Sequence, residues 1–360
     1  MSVKPRILIT GAAGHTGTPA VHDLLKKGFP VRALVRRRDG RSERLAQAGA
    51  EVVVGNLTDM GDLRRAMTDV QRAYHAPPFA PNLLHGSMLF ALAAEEAGLE
   101  TVALLSGWNP HPNHPSIITR EHWMANNLYR WMPNVDVIHV NPGVFAFLYF
   151  LGLPAAAHFG MLMLPFGDGL NAPPSNEDIG AVAAGVLADP APHIGKSYRP
   201  TGPQLISGHD AADIMGQVLG RSVRYRDVSV AMFLKAATAL KLSSFEMAQI
   251  RHYADEMRYG TFAVGAPTDH VELVTGRAPD DFETIAQRFV ANPELVRPGF
   301  AIGTKLQATL FTLRMLLARV PDLDRWEREQ NNPQLNAPTL AHDSPEWRAA
   351  AEQQRLLLAS

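Results

Sequence analysis

The chain has 360 residues, a formal net charge of −1 and no cysteine, and 46% of it is hydrophobic. That is enough for a large buried core, in about two domains or in one domain with a sizeable appendage. The balanced charge argues against a nucleic-acid partner, and the absence of cysteine excludes disulfides, thiolate catalysis and Cys-ligated zinc. No window reaches the roughly 18 uninterrupted apolar residues of a membrane span, and no apolar signal core follows the start, so no membrane partner is expected and the expected compartment is the cytoplasm.

From Val3 to Asn141 short β-rich runs alternate with helical segments. The strands read as Arg6–Thr10, Val31–Val35, Glu51–Val54, Arg72–His75, Thr101–Ser106 and Asp136–Val140. Helices are expected near Thr16–Lys27, Ser42–Gln47, Gly61–Thr68, Leu83–Ala97 and Thr119–Trp131. Six strands separated by crossovers predict an α/β fold, a doubly wound parallel sheet of the Rossmann kind. Residues 1–150 are expected to form this dinucleotide domain, 151–296 a smaller, mostly α substrate region with crossover elements, and 297–360 a helical extension. Ligands of such sheets bind at the carboxyl ends of the strands, so the residues just after each strand carry the function.

The first strand runs into Gly11, Gly14 and Gly17, with Ala13, His15 and Thr16 between them, and a helical pattern follows. Strand, glycine turn and helix N-terminus together cradle a diphosphate. After the second strand come Arg36 and Arg37. A guanidinium there suits the 2′-phosphate of NADP(H) through bidentate, charge-assisted hydrogen bonds. A solvated basic turn is the other reading, and Asp39 would favour NAD(H) if it reaches the ribose instead. After the third strand, Asn56 can bond an adenine edge and Leu57 can line the ring, or Asn56 is simply a turn residue with Thr58 or Asp59 capping the next helix. Ala76, Pro77 and Pro78 after the fourth strand fix an extended turn that would lie against the nicotinamide ribose.

After the fifth strand, Ser106 can bond a carbonyl or the cofactor, or its own backbone. Trp108 follows, then His111 and His114, whose proline-broken spacing argues against a metal pair. His122, early in the next helix, either carries a proton toward the cleft or is a satisfied surface histidine. After the sixth strand come Asn141, Pro142 and Gly143, then an aromatic run in which Phe145, Phe147 and Tyr149, with Trp108, are candidates to wall a substrate pocket.

These residues give the chain a family likeness. It resembles the NmrA-like branch of the atypical short-chain dehydrogenases/reductases in Gly11-Ala-Ala-Gly14-His-Thr-Gly17, Val31-Arg-Ala-Leu-Val-Arg36, Gly55-Asn-Leu-Thr-Asp59, Leu105-Ser106 and Asn141-Pro142-Gly143. Asn176–Asp189, Lys196–Gly202 and Val223–Val228 also fit, so the likeness covers residues 3–292. It implies an extended Rossmann fold with NAD(P) bound at the positions above. It implies either a reductase of quinones, phenolics and related carbonyls, or a redox-sensing regulator that binds dinucleotide without turnover. No Tyr-x-x-x-Lys pair follows Ser106, so the ordinary mechanism of the wider superfamily does not apply. His122 stands where atypical members often keep a lysine, as a replacement proton donor or as a sign of lost activity.

In the second half, helices are expected at Glu177–Ala188, His209–Leu219, Ala231–Leu240 and Phe245–Met257, with Met247, Tyr253 and Met257 as pocket lining or core. In the tail, Leu306, Leu310, Leu313, Leu317 and Val320 follow a 4-3-4-3 spacing, a short seam that docks on its own subunit or joins a homodimer. Trp347–Leu358 reads as a last helix. The expected function is reduction of a quinone, enone or carbonyl of a small aromatic molecule by NADPH, with Ser106 and His122 serving the acceptor oxygen. The rival is an NADP sensor.

Overall fold

The apolar tripeptide Ile7–Ile9 is fully buried and forms β1, an interior strand of the sheet. The computed structural model describes residues 4–292 and 301–359, so the predicted boundary between 296 and 297 lies outside the described residues. Elements follow in the order α1 (Gly17–Lys26), β2 (Val31–Val35), α2 (Gly40–Gln47), β3 (Glu51–Val54), α3 (Met60–Met67), β4 (Arg72–His75), α4 (Leu83–Ala97), β5 (Thr101–Leu105), α5 (Ile117–Arg130) and β6 (Asp136–Val140). After them come α6 (Leu153–Phe159), β7 (Met161–Leu164), α7 (Asn176–Ala188), β8 (Ser197–Tyr198), α8 (Gly208–Leu219), β9 (Arg224–Asp227), α9 (Val230–Ala239), α10 (Ser244–Arg258), α11 (His270–Thr275) and α12 (Phe282–Ala291). The tail supplies α13 (Lys305–Leu317), α14 (Leu323–Glu329) and α15 (Pro345–Glu352).

The main sheet has seven strands in the order β3-β2-β1-β4-β5-β6-β8, all parallel. The order reverses between β1 and β4, which places the ligand crevice at their carboxyl ends. Side chains alternate across the sheet. Ile7 and Ile9 pack with Val21 and Leu24 of α1 and Val182 of α7. Leu8 points the other way, into the layer of Leu63, Phe90 and Tyr129.

Elements beyond residue 150 cross back to the first part of the chain. β8 returns to the main sheet beside β6, and α7 lies across the start of α1. A Cβ at Gly180 would come within 2.7 Å of Pro19 and 2.9 Å of the Thr16 carbonyl. The second lobe is built on β7 paired in parallel with β9 and an aromatic core of Tyr149, Phe150, Phe282 and Phe289. No helix among the described residues is long and apolar enough to cross a membrane.

Three sequence expectations change. β7 went unread, as did α6, α11, α12 and α14. The last helix is Pro345–Glu352 rather than Trp347–Leu358. The leucine seam is one exposed face of α13, which instead buries Ala308 and Met315, while Val320 lies beyond its end, against the cluster of Leu234, Met247 and Leu323.

Candidate dinucleotide and acceptor site

The turn after β1 admits only small residues. Gly11 has φ +57°, a left-handed conformation that glycine adopts freely. A Cβ at Gly17 would collide with the Gly11 carbonyl and stand 2.8 Å from the Ala12 Cα. Gly17 opens α1, and the Thr16 side chain makes no capping hydrogen bond to it. The Thr16 hydroxyl is held by Tyr74 instead, at 3.0 Å. The Thr18 N–H already bonds the Gly14 carbonyl at 3.2 Å and Pro19 has none, so at the start of α1 the Gly17 N–H is left to an anion. The far side of the turn is closed by His15, whose ring stacks on Phe147 at 4.2 Å and meets the Asn176 amide at 3.5 Å.

At the end of β2, Arg36 and Arg37 are exposed. Asp39 is already used. It caps α2 by accepting the backbone N–H of Arg41 and Ser42, and the Arg41 guanidinium 2.8 Å away holds its carboxyl down at about 2. A second Arg41 nitrogen lies 3.5 Å from the Ala13 carbonyl, so Arg41, passed over as a site residue, reaches the glycine turn. At the end of β3, the Asn56 carbonyl oxygen accepts the Thr58 N–H while Asp59 caps α3. The structural reading of this turn holds, and it leaves the Asn56 NH2 group able to donate. Leu57 is half-buried beside it.

The turn after β4 touches the glycine turn: a Cβ at Gly11 would lie 3.5 Å from the Ala76 carbonyl. The Ala76 N–H is fixed by the Thr10 hydroxyl at 2.9 Å, and Pro77 and Pro78 lead outward. Behind this turn lies His75, fully buried, its two ring nitrogens 3.3 Å from the hydroxyls of Thr10 and Ser87. Burial, then the nearby His122, pushes His75 down to about 3. His75 went unremarked in sequence because only the fold brings Thr10 and Ser87 to either side of it.

Ser106 follows β5 and is 6% exposed. Its Oγ has no hydrogen-bond partner. A buried hydroxyl without a partner costs stability unless a ligand or water satisfies it. Asn141 after β6 donates to the Gly107 carbonyl at 3.2 Å, and its own Oδ1 is unpartnered. Pro142 and Gly143 continue the same edge, where a Cβ at Gly143 would lie 3.4 Å from Asn171 Oδ1. His122 is half-buried on α5, and desolvation pushes it down to about 4. Of the two roles expected of it, carrying a proton or making a hydrogen bond, a lowered pKa favours the hydrogen bond.

Two pocket residues are corrected. Trp108 is core: its N–H donates to the Thr261 carbonyl at 3.1 Å and the Arg199 guanidinium stacks on its ring at 3.8 Å. Tyr149 is fully buried among Phe166 and Phe282. Phe145 and Phe147 are half-buried at the glycine turn, edge to face at 5.7 Å. His114 is also structural, bonded to the buried Glu256 at 2.9 Å, and His111 accepts the Asn113 N–H. An open depression around Asp168, His209 and Tyr225 lies on the β7–β9 side, away from all of these residues, and its Asp227 is paired with Arg258 at 2.6 Å.

Residues 3–123 match the NmrA-like family. The chain is 27% identical over 292 residues to an NAD(P)H azoreductase of Xenophilus azovorans, covering 79% of this chain and 98% of that protein. The NADPH-dependent quinone oxidoreductase QOR2 of Escherichia coli, solved with NADPH, superposes with a TM-score of 0.68 at 22% identity, over 79% of this chain and 99% of its own. NmrA, a negative transcriptional regulator solved with NAD, superposes with a TM-score of 0.65 at 16% identity, over 79% and 95%. The family match spans the glycine turn and the first five strands, and beyond it the chain keeps the fold of these solved neighbours.

Proposed function

We propose that the protein is an NADPH-dependent reductase of a quinone, enone or carbonyl of a small aromatic molecule, working in the cytoplasm. The observation that carries this reading is the carboxyl edge of the sheet. A turn that excludes any Cβ at Gly17, two exposed arginines after β2 and a buried, unpartnered Ser106 hydroxyl after β5 share that edge. They fit the diphosphate, the 2′-phosphate and the reacting end of one extended dinucleotide. The commitment of Asp39 to α2 and Arg41 favours NADP(H) over NAD(H), though NAD(H) fits the same turn. The relatives named as NAD(P)H azoreductase and quinone oxidoreductase support the same chemistry.

NADPH, when bound, supplies a hydride. The chain's own part is to hold, orient and exclude water. Gly11, Ala13, Gly14, His15, Thr16 and Gly17 take the diphosphate, and Arg36 and Arg37 the 2′-phosphate. Asn56 and Leu57 take the adenine, while Ala76, Pro77, Pro78, Asn141, Pro142 and Gly143 border the nicotinamide ribose. Ser106 and the neutral His122 offer hydrogen bonds to the acceptor oxygen, and Phe145 and Phe147 wall the acceptor. NADPH consumption with a panel of quinones and enones tests the reading. Turnover is expected, falling at least tenfold in Ser106→Ala. Tight NADPH binding with no acceptor reduced would replace this reading with the second one.

That second reading, a dinucleotide-sensing regulator, is favoured by one observation: the residue in the lysine position, His122, is held uncharged. For the tail we propose pairing of two copies through the exposed leucines of α13.

A further inference from the structure

The reductase reading leaves the acceptor side with Ser106 and a neutral histidine, and α10 adds a third group there. Helix α10 is zipped to the first turn of α5. Ser116 donates to Gln249 at 2.9 Å and Thr119 donates to the hydroxyl of Tyr253 at 3.3 Å. Gln249 and Tyr253 are four residues apart and share a face of α10, just as Thr119 and His122, three apart, share a face of α5. Tyr253 also meets the strand ends. Its ring lies 6.5 Å from Phe79, in the turn after β4. It stacks on Phe262 at 6.4 Å, and Phe262 lies 3.7 Å from where a Gly143 Cβ would be, after β6. This half-buried phenol thus touches the turn after β4 and the helix after β5, and through Phe262 it borders Gly143 after β6; these elements flank the β5 end, where Ser106 is unpartnered.

We infer that Tyr253 supplies the hydroxyl that hydrogen-bonds the acceptor's oxygen, an inference that rests on the reductase reading. Thr119 is the donor in its bond to Tyr253, so the phenol's own O–H is not used there. A donor aimed at an oxygen that gains negative charge is the kind of group whose loss costs a hundredfold or more in rate. Burial pushes the phenol up to about 12, so it keeps its proton and acts by hydrogen bonding. The proton that completes the alcohol or hydroquinone comes from water after transfer.

The test uses Tyr253→Phe, which keeps the ring and its stacking. The first readout is binding of 4-nitrophenolate to the full chain, followed by its visible band, since this ligand carries the charged oxygen without needing turnover. A hydrogen bond to a charged group is worth about 10- to 100-fold in affinity, so Tyr253→Phe is expected to weaken binding by that factor. The second readout is kcat for menadione with NADPH, expected to fall about a hundredfold, with the NADPH dissociation constant and the thermal midpoint unchanged. Equal nitrophenolate affinity in wild type and variant, or no binding by either, overturns the role of Tyr253. A lowered melting point with unchanged nitrophenolate binding also overturns it, because the contact with Thr119 would then be structural only. A wild type that binds nitrophenolate through Tyr253 but reduces no quinone leaves the donor standing and removes the reductase reading.

Discussion

Gly17 and Arg36 make separable demands on the dinucleotide. Alanine at Gly17 would drive a methyl group into the Gly11 carbonyl and the Ala12 backbone. Overpacking of this kind costs about 1–3 kcal/mol, and here it also shifts the turn. Gly17→Ala is therefore expected to lower the melting point and to abolish NADPH binding in calorimetry; retained affinity would remove the turn from the site. Arg36 is exposed and contributes charge rather than fold. Arg36→Ala is expected to weaken NADPH about tenfold or more and NADH hardly at all, and equal losses would refute the 2′-phosphate assignment. The buried histidines set the pH response. Burial holds His75 and His252 at about 3 and His122 and His139 at about 4, against an ordinary value of 6.5. Between those values the unfolded chain binds more protons than the folded one, so the stability they contribute is complete above pH 6.5 and is lost as pH falls toward 4. Glu121, raised to about 7 by burial, runs the other way, as do the raised carboxyls of Asp178, Asp255 and Glu327, while His111, His193 and His270, also lowered by burial, add to the histidine side. Thermal midpoints measured from pH 8 to pH 4 are expected to drop below 6.5; a flat profile would show that these rings protonate without cost.

Elements were legible where an apolar run is bounded by turn residues. Val31–Val35, Glu51–Val54, Arg72–His75 and Asp136–Val140 have the predicted limits. β7 has no such signature. Met-Leu-Met-Leu becomes a strand because β9, some sixty residues on, supplies its ladder. The site divides along the same line. The glycine turn is local chemistry and can be read from spacing. Trp108 and Tyr149 could not be sorted into wall or core, because Arg199, Thr261, Phe166 and Phe282 decide it from remote positions. His75 was hidden for the same reason, and Tyr253 could be read from sequence only as pocket lining or core. α13 shows periodicity pointing the wrong way. At about 100° per residue, its leucine stripe lies opposite Ala308 and Met315, the pair that docks, so Leu317 remains 83% exposed. Substituting Leu310 and Leu313 with glutamate is thus expected to leave the melting point within a degree or two, since exposed sites shift stability little. If two copies pair through this face, light scattering will show the variant as a monomer beside a dimeric wild type.

At the scale of the whole molecule, the described part of the tail beyond α13 is a strap across α5, the loop before it and the second lobe. The Thr339 N–H bonds the Asn113 carbonyl at 2.8 Å, and Arg120 of α5 reaches the Pro333 carbonyl at 3.2 Å. The Ala341 and His342 N–H groups close on the buried carboxylate of Glu256. Burial alone would raise that carboxyl, but His114, Thr261 and these N–H groups outweigh it and hold it below its ordinary value. Arg199, stacked on Trp108, takes the Ala351 carbonyl at 3.0 Å, and the Ala359 N–H meets Asn127 at 2.7 Å. These contacts fall on α5, the loop before it, Arg199 just after β8 and the second lobe, and none of them falls on the glycine turn. A chain ending at Gln330 leaves Glu256 short of two donors and removes Trp347 from its burial. Losing one partner of a buried charged group costs about 1–3 kcal/mol, and losing a buried tryptophan about 3–5. The shortened chain should therefore melt many degrees lower. Because the strap braces α5 and not β1, its loss should weaken quinone and nitrophenolate binding more than NADPH binding. Parallel titrations of the two ligands on the full and shortened chains measure this difference. An equal loss of both would mean that the strap stabilises the whole fold without shaping the acceptor end.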